Sequence, residues 1–355
     1  PATAQGPPAP TRPRPPPRDA RQWAIVRGLD YLASNQATDG SIGKEAGRVG
    51  ITSLAVLAFM AQGHEEGRGR YANWRGADVL RRGVDYLLSR SLQPGSRVNP
   101  EVSGTQGMPT GYVYDPNDAD SQMHGHGYAT QVLILAYGTS KRDTARAARL
   151  RIAVQRAVNV IENSQTITGG WGYKPNRATT HEGSITVTVV QALRLAAGAG
   201  FVVDKRVRDK GLKYLRNSQK RDGSFKYSIT SDSSTAALTA AAMTAMQGFG
   251  EYYSESIQRG LDYLRRRYRD THNLNWPFYA RYYAAQSFYR AEARDWTFWT
   301  REIVPRFLRE QERGGFWDDQ IAHTARRGSH GRAYATALTV LALSVPDGYL
   351  PLFQR

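Results

Sequence analysis

One unit recurs along the chain and limits its fold more than any other feature of the sequence. An apolar segment ends in Tyr-Leu or Phe-Leu. A glutamine follows, then a glycine turn, an aromatic residue, and a run of small residues almost without charge. The fullest copy is Gln165-Thr166-Ile167-Thr168-Gly169-Gly170-Trp171-Gly172-Tyr173, preceded by Ala157-Val158-Asn159-Val160-Ile161. Related copies hold Tyr31-Leu32, Gln36 and Asp39-Gly40-Ser41; Tyr214-Leu215, Gln219 and Asp222-Gly223-Ser224-Phe225; and Phe307-Leu308, Gln311 and Gly314-Gly315-Phe316-Trp317. Two more are altered: Tyr86-Leu87 with an enlarged connection, and Tyr263-Leu264 before Trp276-Pro277-Phe278. The anchors Leu32, Leu87, Ile161, Leu215, Leu264 and Leu308 stand 55, 74, 54, 49 and 44 residues apart. Self-similarity at this period marks a repeat architecture.

Each unit reads as two helices. The first has apolar residues at helical spacing together with Arg and Asp, so one face meets water. The second is rich in Ala, Leu, Val and Thr and is expected to be buried on most sides. Gly40, Gly170, Gly223 and Gly315 fall where the first helix has just ended, a position that favours a left-handed backbone. Gln36, Gln165, Gln219 and Gln311 are placed to bond the backbone groups that such an ending leaves unpaired. Trp171, Phe225, Trp317 and Ile42 then cover the seam between neighbouring units. Six such pairs predict an all-α fold, an α/α toroid with six inner and six outer helices. The repeat arithmetic also allows an open superhelix, which would need capped ends. Residues 1–20 read as a Pro/Arg-rich tail, and 21–355 as a single toroidal domain.

Composition narrows the chemistry. Among 355 residues there is no cysteine, which removes disulfides, thiolate metal sites and cysteine nucleophiles. Lys plus Arg number 48 against 31 Asp plus Glu, a net charge of +17, so an anionic surface or polymer is a candidate partner. No apolar run reaches the length of a membrane span. Ala2-Thr3-Ala4 has the form of the end of a secretory signal, which points to a periplasmic or secreted protein whose signal segment is removed.

The repeated Tyr/Phe-Leu, Gln and Gly-x-Trp or Asp-Gly-Ser-Phe pattern resembles the QW repeats of squalene–hopene cyclases and the related repeats of prenyltransferase and squalene oxidase repeat proteins. The resemblance covers about Arg21 to Val345. It implies an α/α toroid whose central cavity holds an isoprenoid. The family's catalytic markers do not carry over. Where the cyclases place Asp-x-Asp-Asp-Thr-Ala, this chain has Ser231-Asp232-Ser233-Ser234-Thr235-Ala236, leaving one carboxylate. Asp232 is therefore a weak catalytic candidate, and its alternative role is to cap the inner helix. The prenyltransferase zinc site needs a cysteine that is absent here.

The mouth where inner helices begin offers other candidates. Aligning Thr130, Thr188 and Thr336 puts His124, Glu182 and His330 at matching positions, with His126 and Arg332 two residues on and His181 adjacent. Tyr128 lies in the same region. The loop Tyr112-Val113-Tyr114-Asp115-Pro116-Asn117-Asp118-Ala119-Asp120 is turn-rich, acidic and aromatic, and is expected to lie over the opening. His124-Gly125-His126 has the form of a His-x-His metal pair but no third ligand at a fixed spacing, and the acidic loop lacks the glycine and distal glutamate of a calcium loop. Neither a metal nor a cofactor is expected.

Three functions fit these residues. One is an exported toroid binding an apolar, isoprenoid-like ligand or a glycan in or over its cavity. Another is an enzyme, either a divergent terpene cyclase using Asp232 or a polysaccharide lyase or hydrolase acting at the histidine-rich mouth. The third is a basic scaffold for polyanions.

Overall fold

A computed structural model of the chain describes residues 19–43, 47–74, 78–94, 108–118, 120–140, 142–177, 180–270, 274–319 and 330–354. The expected tail, apart from its last two residues, lies outside them. Helices dominate, and they alternate between an outer and an inner layer. The outer helices are α1 (Ala20–Ser34), α3 (Val79–Ser89), α5 (Thr144–Asn163), α7 (Lys205–Asn217) and α9 (Glu255–Asp270). The inner helices are α2 (Arg48–Met60), α4 (Gln122–Thr139), α6 (Gly183–Gly198), α8 (Ala236–Gly248), α10 (Pro277–Arg290) and α13 (Gly331–Ser344). The sixth outer element is α11 (Ala293–Phe298) joined to α12 (Val304–Arg309) by a π-helical turn, Trp299–Ile303. Pro305 lacks the N–H that would bond the Arg301 carbonyl, and the wider turn falls where that bond is lost.

Four of the outer helices start on aspartates. Asp19, Asp78, Asp143 and Asp204 accept from backbone N–H groups of the first turns of α1, α3, α5 and α7. The inner helices are buried along almost their whole length, as their uncharged sequences require. Neighbours in the inner ring pack in the order α2, α4, α6, α8, α10, α13 and back to α2. The described residues therefore form a closed α/α toroid. Among the described residues the one short ladder, Phe225–Lys226 against Ser234–Thr235, is antiparallel and lies in a connection.

The glutamine–glycine motif is what ties unit to unit. Gln36 Nε2 donates to Gly40 O (3.0 Å) and to Val79 O at the start of α3 (2.9 Å). Gln165 bonds Gly169 O and Val207 O (2.9 and 2.8 Å), and Gln219 bonds Gly223 O and Ser256 O (3.2 and 2.8 Å). Gln311 bonds Gly315 O (2.9 Å) and then Ala24 O of α1 (2.8 Å), so the last unit is joined to the first by the same device. Gly40, Gly169, Gly223 and Gly315 all have positive φ, and a Cβ on any of them would strike the backbone of the next outer helix. In the third unit the left-handed residue is thus Gly169, not Gly170, because the glutamine reaches four residues ahead.

A second interlock corrects the register assumed between inner helices. The N–H groups of Ile42, Trp171, Phe225 and Trp317 donate to the hydroxyls of Thr52, Thr186, Thr239 and Thr336 (2.9 to 3.1 Å). In the second unit, Val113 N–H donates instead to His126 Nδ1 (3.1 Å). The structural equivalents are therefore Thr52, His126, Thr186, Thr239 and Thr336, not Thr130, Thr188 and Thr336. Trp171 and Trp317 are fully buried on the seam, each donating its indole N–H to a carbonyl of the preceding outer helix (2.7 Å).

Candidate functional site

The inner helices begin at one end of the ring, where several candidate residues meet. Tyr128, on the second turn of α4, and Tyr283, on the second turn of α10, share a hydroxyl–hydroxyl hydrogen bond of 3.0 Å. Helices α4 and α10 are three steps apart in either direction around the inner ring, so this bond spans the lumen. Tyr282 and Tyr279 pack on Tyr283 with ring centroids 4.7 Å away. The tyrosines form a floor beneath the mouth. The side chains above it, at the starts of the inner helices, line what is called the basin below.

His124 stands on the wall of that basin. Its ring lies parallel to Tyr128 and edge-on to Tyr279 and Tyr173, with centroids 6.3 to 6.5 Å away. Nε2 is 2.8 Å from Ser184 Oγ and 3.7 Å from Glu182 Oε1, and Nδ1 is 3.4 Å from Thr188 Oγ1. Burial among these rings lowers the His124 pKa to about 4, and neighbouring His330 adds to the shift. The imidazole is therefore neutral near pH 7, although 24% of the side chain is exposed. Glu182 caps α6, accepting from Ile185 N (2.7 Å), Ser184 N (3.2 Å) and Ser184 Oγ (2.6 and 2.8 Å to its two oxygens). Burial raises its pKa against the pull of those donors.

The rim is aromatic and partly open. Trp276 is 46% exposed and stacks on His330 with centroids 5.8 Å apart, and His330 meets Tyr334 at 4.8 Å. Tyr173 is 41% exposed, and its hydroxyl is 3.0 Å from that of Tyr227. Trp276 starts α10 with a left-handed backbone (φ 56°, ψ 57°), an uncommon state for a bulky residue.

Other candidates lie elsewhere. His126 is fully buried below the basin, where Nδ1 accepts from Val113 N–H and Nε2 faces Ala157 O at 3.1 Å. The His-x-His pair thus looks into two different environments, and among the described residues no group of three or more metal-ligating side chains gathers. Tyr112 and Tyr114 stack on each other, and their segment pairs with the residues after α3. Asp115 takes the Tyr86 hydroxyl (2.8 Å) and Asp118 takes the N–H groups of Gly47, Val49 and Ser121 (2.7 to 2.9 Å), so both work as internal ties. His181 Nδ1 meets the Tyr214 hydroxyl at 2.8 Å. Arg332 pairs with Asp318 (2.8 Å) and lies over Phe316. Asp232 extends into solvent, 97% exposed, facing Lys226 at 3.4 Å. It does not cap α8; Thr235 does, accepting from Leu238 N. Sequence reasoning missed Ser184, Tyr279, Tyr283, Trp276 and Tyr173 as site residues. The dense aromatics of the fifth unit were the available signal, and periodic aromatics ordinarily mean core.

No known family's sequence pattern matches the chain, and no curated protein matches it. Solved structures do. The type II terpene cyclase MstE from Scytonema superposes with a TM-score of 0.60 at 14% identity, covering 94% of this chain and 100% of that one. A protein from Actinoplanes gives 0.59 at 15% identity, covering 91% and 98%. An alpha-amylase from Clostridium perfringens gives 0.60 at 9% identity, covering 92% and 99%. Likeness at such identity defines the fold, an α/α toroid of the terpene cyclase kind, and no more.

Proposed function

We propose that the protein binds a polyhydroxylated ring, a saccharide, in the basin at the mouth of its toroid. The observation that carries this reading is the Tyr128–Tyr283 hydrogen bond across the lumen beneath a rim of exposed aromatics. A C20 isoprenoid needs a deep apolar shaft. A mouth lined with phenol hydroxyls and imidazoles, crossed below by the Tyr128–Tyr283 bond and edged by an indole, suits a sugar face that stacks on carbon and bonds through oxygen.

The isoprenoid reading keeps one specific support. Structures of MstE hold geranylgeranyl dihydroxybenzoate and merosterolic acid A on a ring of the same architecture. Trp276 is the reporter that separates the two. Titrating a panel of oligosaccharides against its fluorescence is expected to give saturable quenching, and the affinity for the same sugar read by calorimetry should fall at least tenfold in Trp276→Ala. Quenching by geranylgeraniol with none from any saccharide overturns the proposal. So does a response to polyanions alone that fades with salt and ignores the Trp276 substitution, which would favour the basic scaffold.

A further inference from the structure

We propose that the ring carries a second ligand site at the end opposite the mouth, where Arg194, Arg290 and Tyr252 hold a small oxyanion, a phosphate or carboxylate group. The site stands apart from the basin, and nothing in it depends on the saccharide reading.

The inner helices finish at this end. Arg290 is the last residue of α10, and Arg194 lies in the closing turns of α6. Arg290 is 1% exposed. Its Nη1 donates to Thr244 O (3.1 Å) and its Nη2 to Leu352 O, while its Nε–H has no acceptor among the described residues. Both partners are main-chain carbonyls, which carry no formal charge. Arg194 is half-buried and makes neither a hydrogen bond nor an ion pair with any described residue.

The two guanidinium groups come together on α8. A Cβ on Gly248 would lie 3.3 Å from Arg194 Cδ and Nη1, so the Arg194 side chain runs across the end of that helix. Thr244, which Arg290 bonds, is one turn back on the same helix, a rise of about 5 Å. Burial and then the charge of Arg194 lower the pKa of Arg290 to about 10. Tyr252 acts on both arginines in the opposite sense, and no carboxylate acts on either.

A cation taken out of water is ordinarily paired, because desolvation is otherwise uncompensated. The chain follows that rule elsewhere: buried Arg146 meets Glu66 and Asp85, and Arg265 meets buried Asp295. The C-terminal dipoles of α8 and α10 offset part of the surplus charge, but only within the last turn. An oxyanion seated against Arg194 takes its free N–H groups, with the Tyr252 hydroxyl beside it and the charge of Arg290 behind it.

Inorganic phosphate is the probe, with ionic strength held constant by sodium chloride. The melting temperature of the full chain is expected to rise saturably with phosphate, by about 2 °C or more. Calorimetry should show phosphate affinity falling at least tenfold in Arg194→Gln. It should be unchanged in Arg301→Gln, which removes an exposed charge from the outer layer. In phosphate-free chloride buffer, Arg194→Gln should melt no lower than the unaltered protein, because its repulsion of Arg290 is gone. Acetate distinguishes the sources: a rise with acetate as well extends the ligand to carboxylates, and a rise with phosphate alone confines it to phosphate groups, and both uphold the site. No rise with either anion, a rise reproduced by added chloride, equal binding by Arg194→Gln, or a lower melting temperature of that variant in chloride overturns the proposal.

Discussion

His126 shows how one residue can set a property of the whole protein. It takes the place that threonine holds in the other interlocked units, with its ring nitrogens set against Val113 N–H and Ala157 O. Burial lowers its pKa to about 4 from the ordinary 6.5. The unfolded chain therefore takes up a proton between pH 6.5 and 4 that the folded chain refuses, so stability falls as pH drops through that window. At about 1.4 kcal/mol per pH unit the full loss is on the order of 3 kcal/mol, and His124 adds in the same sense. Glu182, whose pKa is raised, acts oppositely above the usual carboxylate range, removing stability as pH rises. His126→Ala, which leaves the Val113 N–H unpaired, is expected to cost about 2 to 4 kcal/mol at pH 7. It should also flatten the acid limb of a melting-temperature profile, and an unchanged limb would rule this account out. The role was hidden in the sequence because the seam residue and its hydroxyl partner are 10, 15, 14 and 19 residues apart in the four threonine units, and 13 in this one. With connections so variable, an alignment on Thr130, Thr188 and Thr336 found an equally good but shifted register. The Gln–Gly turn has a fixed spacing, so it was readable, and only the Gly169-Gly170 pair was ambiguous.

At the scale of elements, the two helix types were legible because burial dictates their composition, whereas the site depends on how each inner helix starts. Helix α6 starts on a carboxylate, α8 on a threonine hydroxyl, and α10 on a tryptophan in the left-handed region followed by Pro277 at its first turn. That backbone state costs a non-glycine residue about 1 to 2 kcal/mol, held here by the stack of Trp276 on His330 and by the proline's fixed φ. Trp276→Gly relieves the strain but adds about 0.5 to 1 kcal/mol of unfolded-chain freedom. Trp276→Ala keeps the strain and loses the stack. The glycine variant should therefore melt above the alanine variant while both lose the ligand response. The reverse order of melting temperatures would mean that α10 is not strained at its start. Nothing in the residue order announced this turn, since tryptophan before proline reads equally well as an extended loop.

For the whole molecule, the decisive question was whether the hairpins close, and repeat arithmetic left that open. Closure is a matter of a few bonds between the chain's two ends. Gln311 reaches Ala24 O, Arg21 pairs with Asp347 (2.8 Å) and bonds Leu343 O (2.7 Å), and Gly315 lies against the Arg27 backbone. The first and last units are thus joined in the same way as the interior ones, as Gln165 joins its unit to the next through Val207 O. In an open solenoid a terminal joint carries less, because the end repeat frays before the middle unfolds. In a ring no joint is terminal. Gln311→Ala and Gln165→Ala are accordingly expected to destabilise by similar amounts, about 1 to 3 kcal/mol each, since each strips two carbonyls of a donor. Amide exchange in α1 and α13 of the unaltered protein should be as slow as in α6. If Gln311→Ala proves neutral while Gln165→Ala is costly, and α1 exchanges ahead of the rest, the ends do not hold each other in solution, and the basin that depends on α10 and α13 closing against α2 and α4 loses its frame.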